Sequence, residues 1–299
     1  MTARGAIRGQ ALTGPGAAVV SRFAPSPTGR LHLGHGWSAI LAHDLAAAAG
    51  GRFLLRIEDI DGARSRAEHV AGIGEDLRWL GLDWEGPVFQ SQRLALYDAA
   101  LGRLRAMGLV YRCFCTRAEI AASLSAPHGP QPAYPGTCRR LSAEEAEARA
   151  AAPHCWRLDM AAALARAGGD LIWHDAAAGP VRADPAPQGD IVIARKDAPA
   201  SYHLAATVDD AEQGVTDVVR GVDLFEATHV HRLLQALLDL PTPRYHHHRL
   251  ILDATGQRLA KRRGSPSLAD LRAAGADGAT LAEGLRAGRL PTSFSWPNS

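Results

Sequence analysis

Two histidines three residues apart, His32 and His35, follow a loop rich in proline and glycine. Residues 22–36 read RFAPSPTGRLHLGHG. An apolar run before this loop predicts a strand, and the pattern after it predicts a helix that begins at the histidines. The first turn of a helix binds anions through unpaired N–H groups, and imidazoles can donate to phosphate oxygens that gain charge during a reaction. The segment therefore indicates phosphate chemistry, although an isolated pair could also be incidental capping or surface residues.

A second candidate lies far along the chain, at Lys261. Residues 249–265 read RLILDATGQRLAKRRGS, in which residues 253–256 predict a turn between two strands. Lys196 and Lys261 are the only lysines of the chain, and all its other basic residues are arginines. Because a lysine ammonium is the compact charge suited to phosphates, its place in this loop indicates a nucleotide contact. An ordinary basic hairpin is the alternative.

Together the two segments resemble the two signatures of class I aminoacyl-tRNA synthetases, and RFAPSPTG is similar to the glutamyl branch. The resemblance implies activation of an amino acid by ATP with Mg²⁺ on a Rossmann-type fold. It implies the catalytic residues His32, His35 and Lys261 and the ATP-binding residues His32, Gly34, His35 and Lys261. The chain departs from the second signature at Arg258 and Ala260, which stand where that signature has lysine and serine.

Acidic and arginine side chains at strand ends could select the amino acid. Glu58 follows an apolar run and could bind an ammonium group, while Arg22 and Arg220 could bind carboxylates through two hydrogen bonds each. The resemblance to the glutamyl branch implies that the substrate is L-glutamate. It implies contacts from Arg22, Ala24, Ser26, Glu58, Tyr202 and Arg220.

Three clustered cysteines, Cys113, Cys115 and Cys138, favour a structural metal site. Tetrahedral zinc takes four ligands, so a neighbour must supply the fourth, and general chemistry favours His128. The spacing C-x-C followed by Y-x-x-x-C resembles that of short relatives of glutamyl-tRNA synthetase, which implies Tyr134 instead. We expect one structural Zn²⁺ per chain, held by Cys113, Cys115, Tyr134 and Cys138. Free buried cysteines are the alternative.

Two other features do not indicate metal binding. Cys155 lies next to Trp156 and is expected in the core. Adjacent histidines at 246–248 would point to opposite faces of an extended segment, so they are not expected to share one ion. They are expected to line one face of the active-site cleft.

An α/β framework must position these residues. We predict strands at 19–23, 52–57, 191–194 and 215–220, with helices near 68–80, 93–107, 142–151, 205–211 and 228–238. The fold class is α/β, a Rossmann-type class I synthetase catalytic domain with an inserted zinc-binding subdomain. The predicted division is a disordered leader at 1–18, the first catalytic half at 19–108, the insertion at 109–189, and the second half at 190–299. The second half contains the Lys261 loop and short C-terminal helices.

Composition limits the partners. The net charge is only +2, so any nucleic-acid contact must depend on a local patch. No apolar run reaches the roughly 20 residues that a membrane-spanning helix needs. Reduced cysteines fit a cytoplasmic location, and we expect a monomer without a membrane partner.

The resemblance narrows further because the sequence continues for only 38 residues (299 minus 261) after Lys261. This is too short for an anticodon-binding domain. Residues 19–290 resemble the glutamyl-queuosine tRNA(Asp) synthetases, which implies activation of glutamate without tRNA and its transfer to queuosine in the anticodon of tRNA(Asp). One alternative is a catalytic fragment or variant of glutamyl-tRNA synthetase that charges tRNA(Glu). Another is a non-catalytic paralogue that binds amino acid or RNA.

Overall fold

The computed structural model describes residues 18–62, 64–116, 118–120, 134–259 and 265–297. Lys261, His128 and all of the predicted leader except residue 18 lie outside the described residues. None of the described helices is both long and apolar enough to cross a membrane.

Strands and helices alternate along most of the described chain. The strands are β1 Val20–Phe23, β2 Arg52–Ile57, β3 Glu85–Phe89, β4 Val110–Cys113, β5 Cys155–Leu158, β6 Ile172–Asp175, β7 Gly179–Arg182, β8 Val192–Ala194, β9 Asp217–Gly221, β10 Arg244–His248, β11 Leu252–Asp253 and β12 Phe294–Ser295. The helices are α1 Leu33–Ala48, α2 Ala67–Trp79, α3 Leu94–Ala106, α4 Ala143–Ala148, α5 Met160–Ala167, α6 Tyr202–Glu212, α7 Phe225–Leu237, α8 Leu268–Ala273 and α9 Gly278–Arg286. The strands and helices predicted from the sequence are confirmed, with shifts of a few residues at their ends.

The central layer is a parallel sheet made from two parts of the chain. One part has the order β1-β2-β3, and the other has the order β7-β6-β10-β9, in which only β7 is antiparallel. The backbone N–H of Val20 donates to Thr216 Oγ1 at 2.9 Å, and the N–H of Thr216 donates to the carbonyl of Val20 at 2.9 Å. These bonds place β1 beside β9, so both parts form one Rossmann-type layer.

The helices cover both faces of this layer, which explains why its inner strands are buried along their length. The burial of β1 and β9 is complete, and β2 is exposed only at its first residue. Helix α1 joins β1 to β2 and packs its buried residues against that part of the sheet. The carboxyl ends of β1, β2 and β9 therefore lie at one edge, where parallel α/β sheets bind ligands.

A smaller antiparallel sheet has the order β4-β5-β8. It packs with α3, α5, α6 and α7 around a second apolar core. The segment 109–189 contributes strands to both sheets, because β6 and β7 join the central layer while β4 and β5 join the smaller one. Strand β8, which follows this segment, also belongs to the smaller sheet, and the division into subdomains stays a prediction.

The predicted turn at 253–256 is confirmed by a hydrogen bond from Gly256 N–H to the carbonyl of Asp253, at 3.0 Å. Strand β11 pairs mainly with β12, and a single bridge from Leu252 to Arg258 crosses the turn. The short C-terminal helices α8 and α9 are also confirmed.

The start of β2 passes unusually close to the residue before β1. A Cβ added at Gly51 would lie 2.0 Å from the carbonyl oxygen of Val19, while the N–H of Arg52 donates to that same oxygen at 2.8 Å. Only glycine fits this approach, which sets where β2 begins its pairing with β1.

We therefore expect Gly51→Ala to lower the free energy of unfolding by about 1–3 kcal/mol, because overpacking forces the backbone apart. Gly72→Ala is the control, since Gly72 lies within α2 and nothing approaches its added Cβ. That helical substitution should stabilise the protein by about 0.5–1 kcal/mol. Urea unfolding measures the free energy of unfolding of both variants. Equal values for Gly51→Ala and Gly72→Ala would contradict the close approach at Gly51.

Candidate active site

The two signature histidines meet at the start of α1. His32 immediately precedes the helix, and its backbone N–H donates to Nδ1 of His35 at 3.1 Å. Their rings stack with centroids 3.7 Å apart and planes inclined by 29°. Because His35 Nδ1 accepts this bond, a neutral His35 ring carries its proton on Nε2. The turn thus combines an imidazole donor with the N–H groups of a helix terminus.

Gly34 makes room for this arrangement. A Cβ at position 34 would lie 3.1 Å from Cε1 of His32, closer than side chains normally pack. The same Cβ would lie 3.9 Å from Leu259, a buried residue of the core that includes Leu33. Glycine at this position therefore lets the His32 ring lie against the first helical turn.

The loop predicted to carry Lys261 is flanked by segments that contact this turn. Leu259 lies before it and packs near Gly34. On its other side, His32 forms a bridge with Ser267, and Leu268 N–H donates to the carbonyl of Leu31 at 2.8 Å. Lys261 itself is outside the described residues, but the described chain on both sides lies beside the histidines.

A buried charge cluster joins the ends of β1 and β2 to α6. Asp210 Oδ1 accepts from Arg22 Nε at 3.0 Å and from Arg56 Nη1 at 2.8 Å. Arg22 is 5% exposed and Arg56 is 0% exposed. Although burial opposes ionisation, both guanidinium groups hold the pKa of Asp210 below its usual value. The carboxylate thus pairs two buried cations at once, and it is the acidic group nearest to each of them.

Glu58 extends this cluster beyond the end of β2. Its backbone N–H donates to the carbonyl of Pro25 at 3.1 Å, which fixes it beside Ala24 and Ser26. Its Oε1 lies 3.5 Å from Nη2 of Arg56. Burial raises the pKa of Glu58 to about 7, against the opposing effect of two neighbouring arginines. The carboxyl is therefore poised between its two protonation states near neutral pH.

Arg220, on β9, is a buried cation with neutral neighbours. Its Nη1 donates to the hydroxyl of Tyr202 at 3.2 Å and lies 3.4 Å from Nδ1 of His231. Its Nη2 donates to Thr228 Oγ1 at 2.5 Å, and its Nε donates to Nε2 of His247 at 3.2 Å. Arg220 is 5% exposed, and none of the ion pairs in the described part of the chain includes it. A buried charge of this kind is suited to binding an anion.

The structure thus divides the predicted glutamate contacts between neighbouring strand ends. Arg22 lies in β1, Ala24 and Ser26 follow that strand, and Glu58 follows β2. Tyr202 hydrogen-bonds to Arg220, and the charges of Arg220, Glu58 and Arg22 all act on its phenol, whose pKa burial raises. Of the predicted set, Arg22, Glu58, Tyr202 and Arg220 therefore lie near one another.

Several residues that shape this site are absent from the sequence prediction, above all Asp209 and Asp210. Asp209 accepts hydrogen bonds from Gln90 Nε2 at 2.7 Å, Tyr97 at 2.8 Å and Arg93 Nε at 2.7 Å, which ties α3 to α6. Two adjacent acids directly after an apolar helical stretch were the available signal, because charged residues are rarely buried unless they are paired.

The three predicted cysteine ligands lie together. The sulfur atoms of Cys113, Cys115 and Cys138 are within 4.8 Å of one another. The Tyr134 hydroxyl is 3.4 Å from the sulfurs of both Cys113 and Cys115. In tetrahedral zinc sites, bond lengths near 2.0–2.3 Å separate the donor atoms by about 3.5–3.8 Å. The three thiols could therefore hold a metal ion, and the Tyr134 hydroxyl lies next to two of them.

The surrounding structure orients these groups. Cys113 ends β4 and lies opposite Cys155 of β5, which is buried in the same apolar cluster, so the prediction that Cys155 belongs to the core is confirmed. The guanidinium of Arg157 lies 3.9 Å from the ring centroid of Tyr134 and limits how that ring can turn. These contacts help to hold Cys113 and the Tyr134 ring next to each other.

The three adjacent histidines of β10 have separate partners. His246 Nε2 lies 2.7 Å from Asp217 Oδ1, and His248 Nε2 lies 2.7 Å from Ser38 Oγ on α1. His247, between them, contacts Arg220 on the opposite face of the strand. The three histidines therefore do not share one face of the cleft as expected, and of the three only His247 contacts Arg220.

Comparisons with known proteins agree with this geometry. The family model "tRNA synthetases class I (E and Q), catalytic domain" matches residues 18–288. The glutamyl-Q tRNA(Asp) synthetase of Rhodobacter capsulatus is 49% identical over an alignment of 278 positions, and the match covers 88% of this chain and 98% of that protein. The glutamate–tRNA ligase 2 of Alkalilimnicola ehrlichii is 42% identical over an alignment of 268 positions, and the match covers 86% of this chain and 56% of that protein.

A solved structure shows the same fold. The glutamate-tRNA synthetase from Elizabethkingia anophelis has a TM-score of 0.70 and 29% sequence identity, covering 83% of this chain and 53% of that chain. The present chain thus spans about half the length of that protein. From the family match and these relatives, the chain belongs to the class I tRNA synthetases of the glutamate and glutamine group and contains their catalytic domain.

Proposed function

We propose that the protein activates L-glutamate with ATP and Mg²⁺, without needing tRNA, and transfers it to the queuosine base in the anticodon of tRNA(Asp). The observation that carries the glutamate assignment is Arg220, a buried cation whose hydrogen-bond partners are all neutral. Such a group would bind the side-chain carboxylate of glutamate through two charge-assisted hydrogen bonds.

The remaining pocket matches the other charges of the substrate. Glu58 would bind the ammonium group, since a backbone hydrogen bond to Pro25 holds this acidic residue beside the loop after β1. Arg22, Ala24, Ser26 and Tyr202 would complete the contacts. Arg22 already pairs with Asp210, so it would contribute through its remaining N–H groups.

In the reaction, an oxygen of the glutamate α-carboxylate attacks the α-phosphorus of ATP. The new bond forms as the bond to the β-phosphate oxygen breaks, and pyrophosphate leaves. His32, His35 and Lys261 would stabilise the charge that develops on the phosphates, helped by Gly34 and the N–H groups at the start of α1. Mg²⁺, when bound with ATP, supplies further charge neutralisation. A hydroxyl of queuosine then attacks the glutamyl carbonyl, and AMP leaves.

The relatives support queuosine as the acceptor. Those named glutamyl-Q tRNA(Asp) synthetase reach 47–49% identity in Rhodobacter capsulatus and Symbiobacterium thermophilum. A second candidate is the charging of tRNA(Glu), because relatives at 41–42% identity are named glutamate–tRNA ligase 2.

We also propose that residues 109–189 form an inserted subdomain with one structural Zn²⁺, and that the protein is a cytoplasmic monomer. The zinc ligands would be Cys113, Cys115, Tyr134 and Cys138, since the three sulfurs lie within 4.8 Å of one another and the Tyr134 hydroxyl lies 3.4 Å from two of them. Four ligands leave no open position, so this ion would stabilise the fold and take no part in the reaction.

Incubation with labelled glutamate, ATP and queuosine-containing tRNA(Asp) tests the proposed acceptor. We expect label on that RNA, and none on tRNA(Glu) or on tRNA(Asp) that lacks queuosine. Label only on tRNA(Glu) would establish the second candidate. Glutamate-dependent exchange between ATP and pyrophosphate, measured without any RNA, tests the activation step alone.

His35→Ala and Lys261→Ala should each lower the rate of this exchange about 100-fold or more, because they remove transition-state stabilisation. His174→Ala is the control, since His174 is an exposed histidine on β6. Rates for the first two variants that equal the control would contradict the assigned roles.

The raised pKa of Glu58 predicts a pH dependence of glutamate use. Below a pH of about 7 the carboxyl becomes protonated and loses its attraction for the ammonium group. We expect kcat/KM for glutamate in the exchange reaction to fall as the pH drops below about 7, approaching tenfold per pH unit. Glu58→Gln should be slower and nearly independent of pH between about 6 and 8. The same slope in both proteins would show that another group titrates.

Cys113→Ser should reduce bound zinc from about one ion per chain to well below half, as measured by metal analysis of the purified protein. Cys155→Ser is the matched control, because Cys155 is a buried neighbour outside the ligand set. Tyr134→Phe and His128→Ala compare the two candidates for the fourth ligand. Weaker zinc retention in His128→Ala alone would transfer that role to His128.

A further inference from the structure

Arg220 is held from one side by a buried pair of residues, Asp175 and His247. Asp175 ends β6, and His247 lies on β10 next to it. Nδ1 of His247 is 2.8 Å from Asp175 Oδ2, and both side chains are 2% exposed. Nε2 of the same ring accepts from Arg220 Nε at 3.2 Å. The imidazole therefore bridges a carboxylate and a guanidinium.

This bridge fixes the tautomer of His247. A guanidinium can only donate hydrogen bonds, so the ring nitrogen that faces Arg220 must be unprotonated. The ring proton then lies on Nδ1, where it donates to Asp175. One neutral tautomer thus satisfies both neighbours, and the opposite tautomer would place two donors against each other.

The carboxylate is itself held in place. Asp175 Oδ1 accepts hydrogen bonds from the backbone N–H groups of Ala177 and Ala178, each at 2.9 Å. The turn between β6 and β7 thereby orients the carboxylate toward His247. The turn therefore orients the carboxylate, the carboxylate orients the imidazole of His247, and the imidazole orients the guanidinium of Arg220.

The bridge is uncharged where it contacts Arg220. Burial and the nearby charge of Arg220 lower the pKa of His247 to about 4, although Asp175 opposes this. The pKa of His231 is also lowered by burial and by Arg220. The remaining partners, Thr228 and Tyr202, are hydroxyl groups. Arg220 is thus oriented by neutral acceptors, whereas a carboxylate in direct contact would cancel much of its charge.

We propose that Asp175 and His247 are positioning residues that orient Arg220 without neutralising it, and so determine the preference for glutamate over glutamine. The inference rests on the proposed function, in which Arg220 binds the substrate side chain. A full positive charge favours the carboxylate of glutamate. The amide of glutamine has no charge and presents N–H donors to a guanidinium that can only donate.

Two substitutions of His247 separate its acceptor role from its bulk. His247→Leu removes the acceptor, and His247→Gln keeps an amide oxygen that can accept from Arg220. His246→Leu is the control, because His246 lies next to it on β10 and pairs with Asp217 on the other face. The measurements are KM for glutamate, KM for ATP, kcat, and kcat/KM for glutamine, all in pyrophosphate exchange without RNA.

We expect His247→Leu to raise KM for glutamate about tenfold, since a hydrogen bond to a charged group is lost. The ratio of kcat/KM for glutamate to kcat/KM for glutamine should fall as a result. KM for ATP and kcat should stay within about twofold of wild type, because the imidazole does not contact the phosphates. His247→Gln should lie within about threefold of wild type in KM for glutamate. If His247→Leu and the control His246→Leu have the same KM for glutamate and the same preference over glutamine, His247 does not position Arg220.

Asp175→Asn supplies an independent test that does not change the ring. An amide N–H facing Nδ1 would favour the opposite tautomer, which turns a donor toward Arg220. We expect this variant to resemble His247→Leu in KM for glutamate and in discrimination against glutamine, and it decides the matter if His247→Leu does not fold. Wild-type values would overturn the proposal. By contrast, a wild-type protein without glutamate-dependent exchange would refute the proposed function itself.

Discussion

The site depends on one constraint, which is that charges buried at the edge of the central sheet must be paired. Asp210 pairs with both Arg22 and Arg56, whose Nε and Nη1 atoms lie 3.0 and 2.8 Å from its Oδ1. Because these three residues come from α6, β1 and β2, the ion pairs also fix where that helix lies against the sheet. Loss of the Asp210 carboxylate would leave two buried cations without their closest partner, which is among the costliest changes a protein interior can undergo.

The arginines of this region therefore have different tasks. Arg56 is fully buried and, although burial opposes its charge, the surrounding carboxylates raise its pKa, so it serves the structure. Arg220 is nearly as buried but has only neutral partners, so its charge remains to be compensated. Arg22 is intermediate in the charge of its partners, because it pairs with one carboxylate, that of Asp210, at the end of β1. Burial alone does not separate a structural arginine from a binding one, whereas the charge of its partners does.

Local sequence pattern predicts strands β1, β2, β8 and β9, most of the helices, the histidine turn and the cysteine cluster, because each depends on residues close together in the chain. The partners of Arg22 and His247 could not be predicted, since Arg22 is 188 residues from Asp210 and His247 is 72 residues from Asp175. Hydrophobic pattern also identifies a strand without identifying its neighbours. For this reason the pattern at 191–194 predicts β8 as a strand without its partners, β6 is not predicted as a strand, and only the pairing shows which sheet each one joins.

Strand β6 connects the segment between the cysteine cluster and β8 to the surroundings of Arg220. It pairs with β10 in the central layer, and its last residue, Asp175, faces His247. Part of the environment of Arg220 is therefore encoded within residues 109–189, at a distance in sequence from both signatures. Recombination that exchanged this segment between relatives would replace the carboxylate behind Arg220 together with the cysteine cluster. The segment and the sheet are thus expected to be inherited as a unit, and a chimaera joined at its limits would combine parts that had not evolved together.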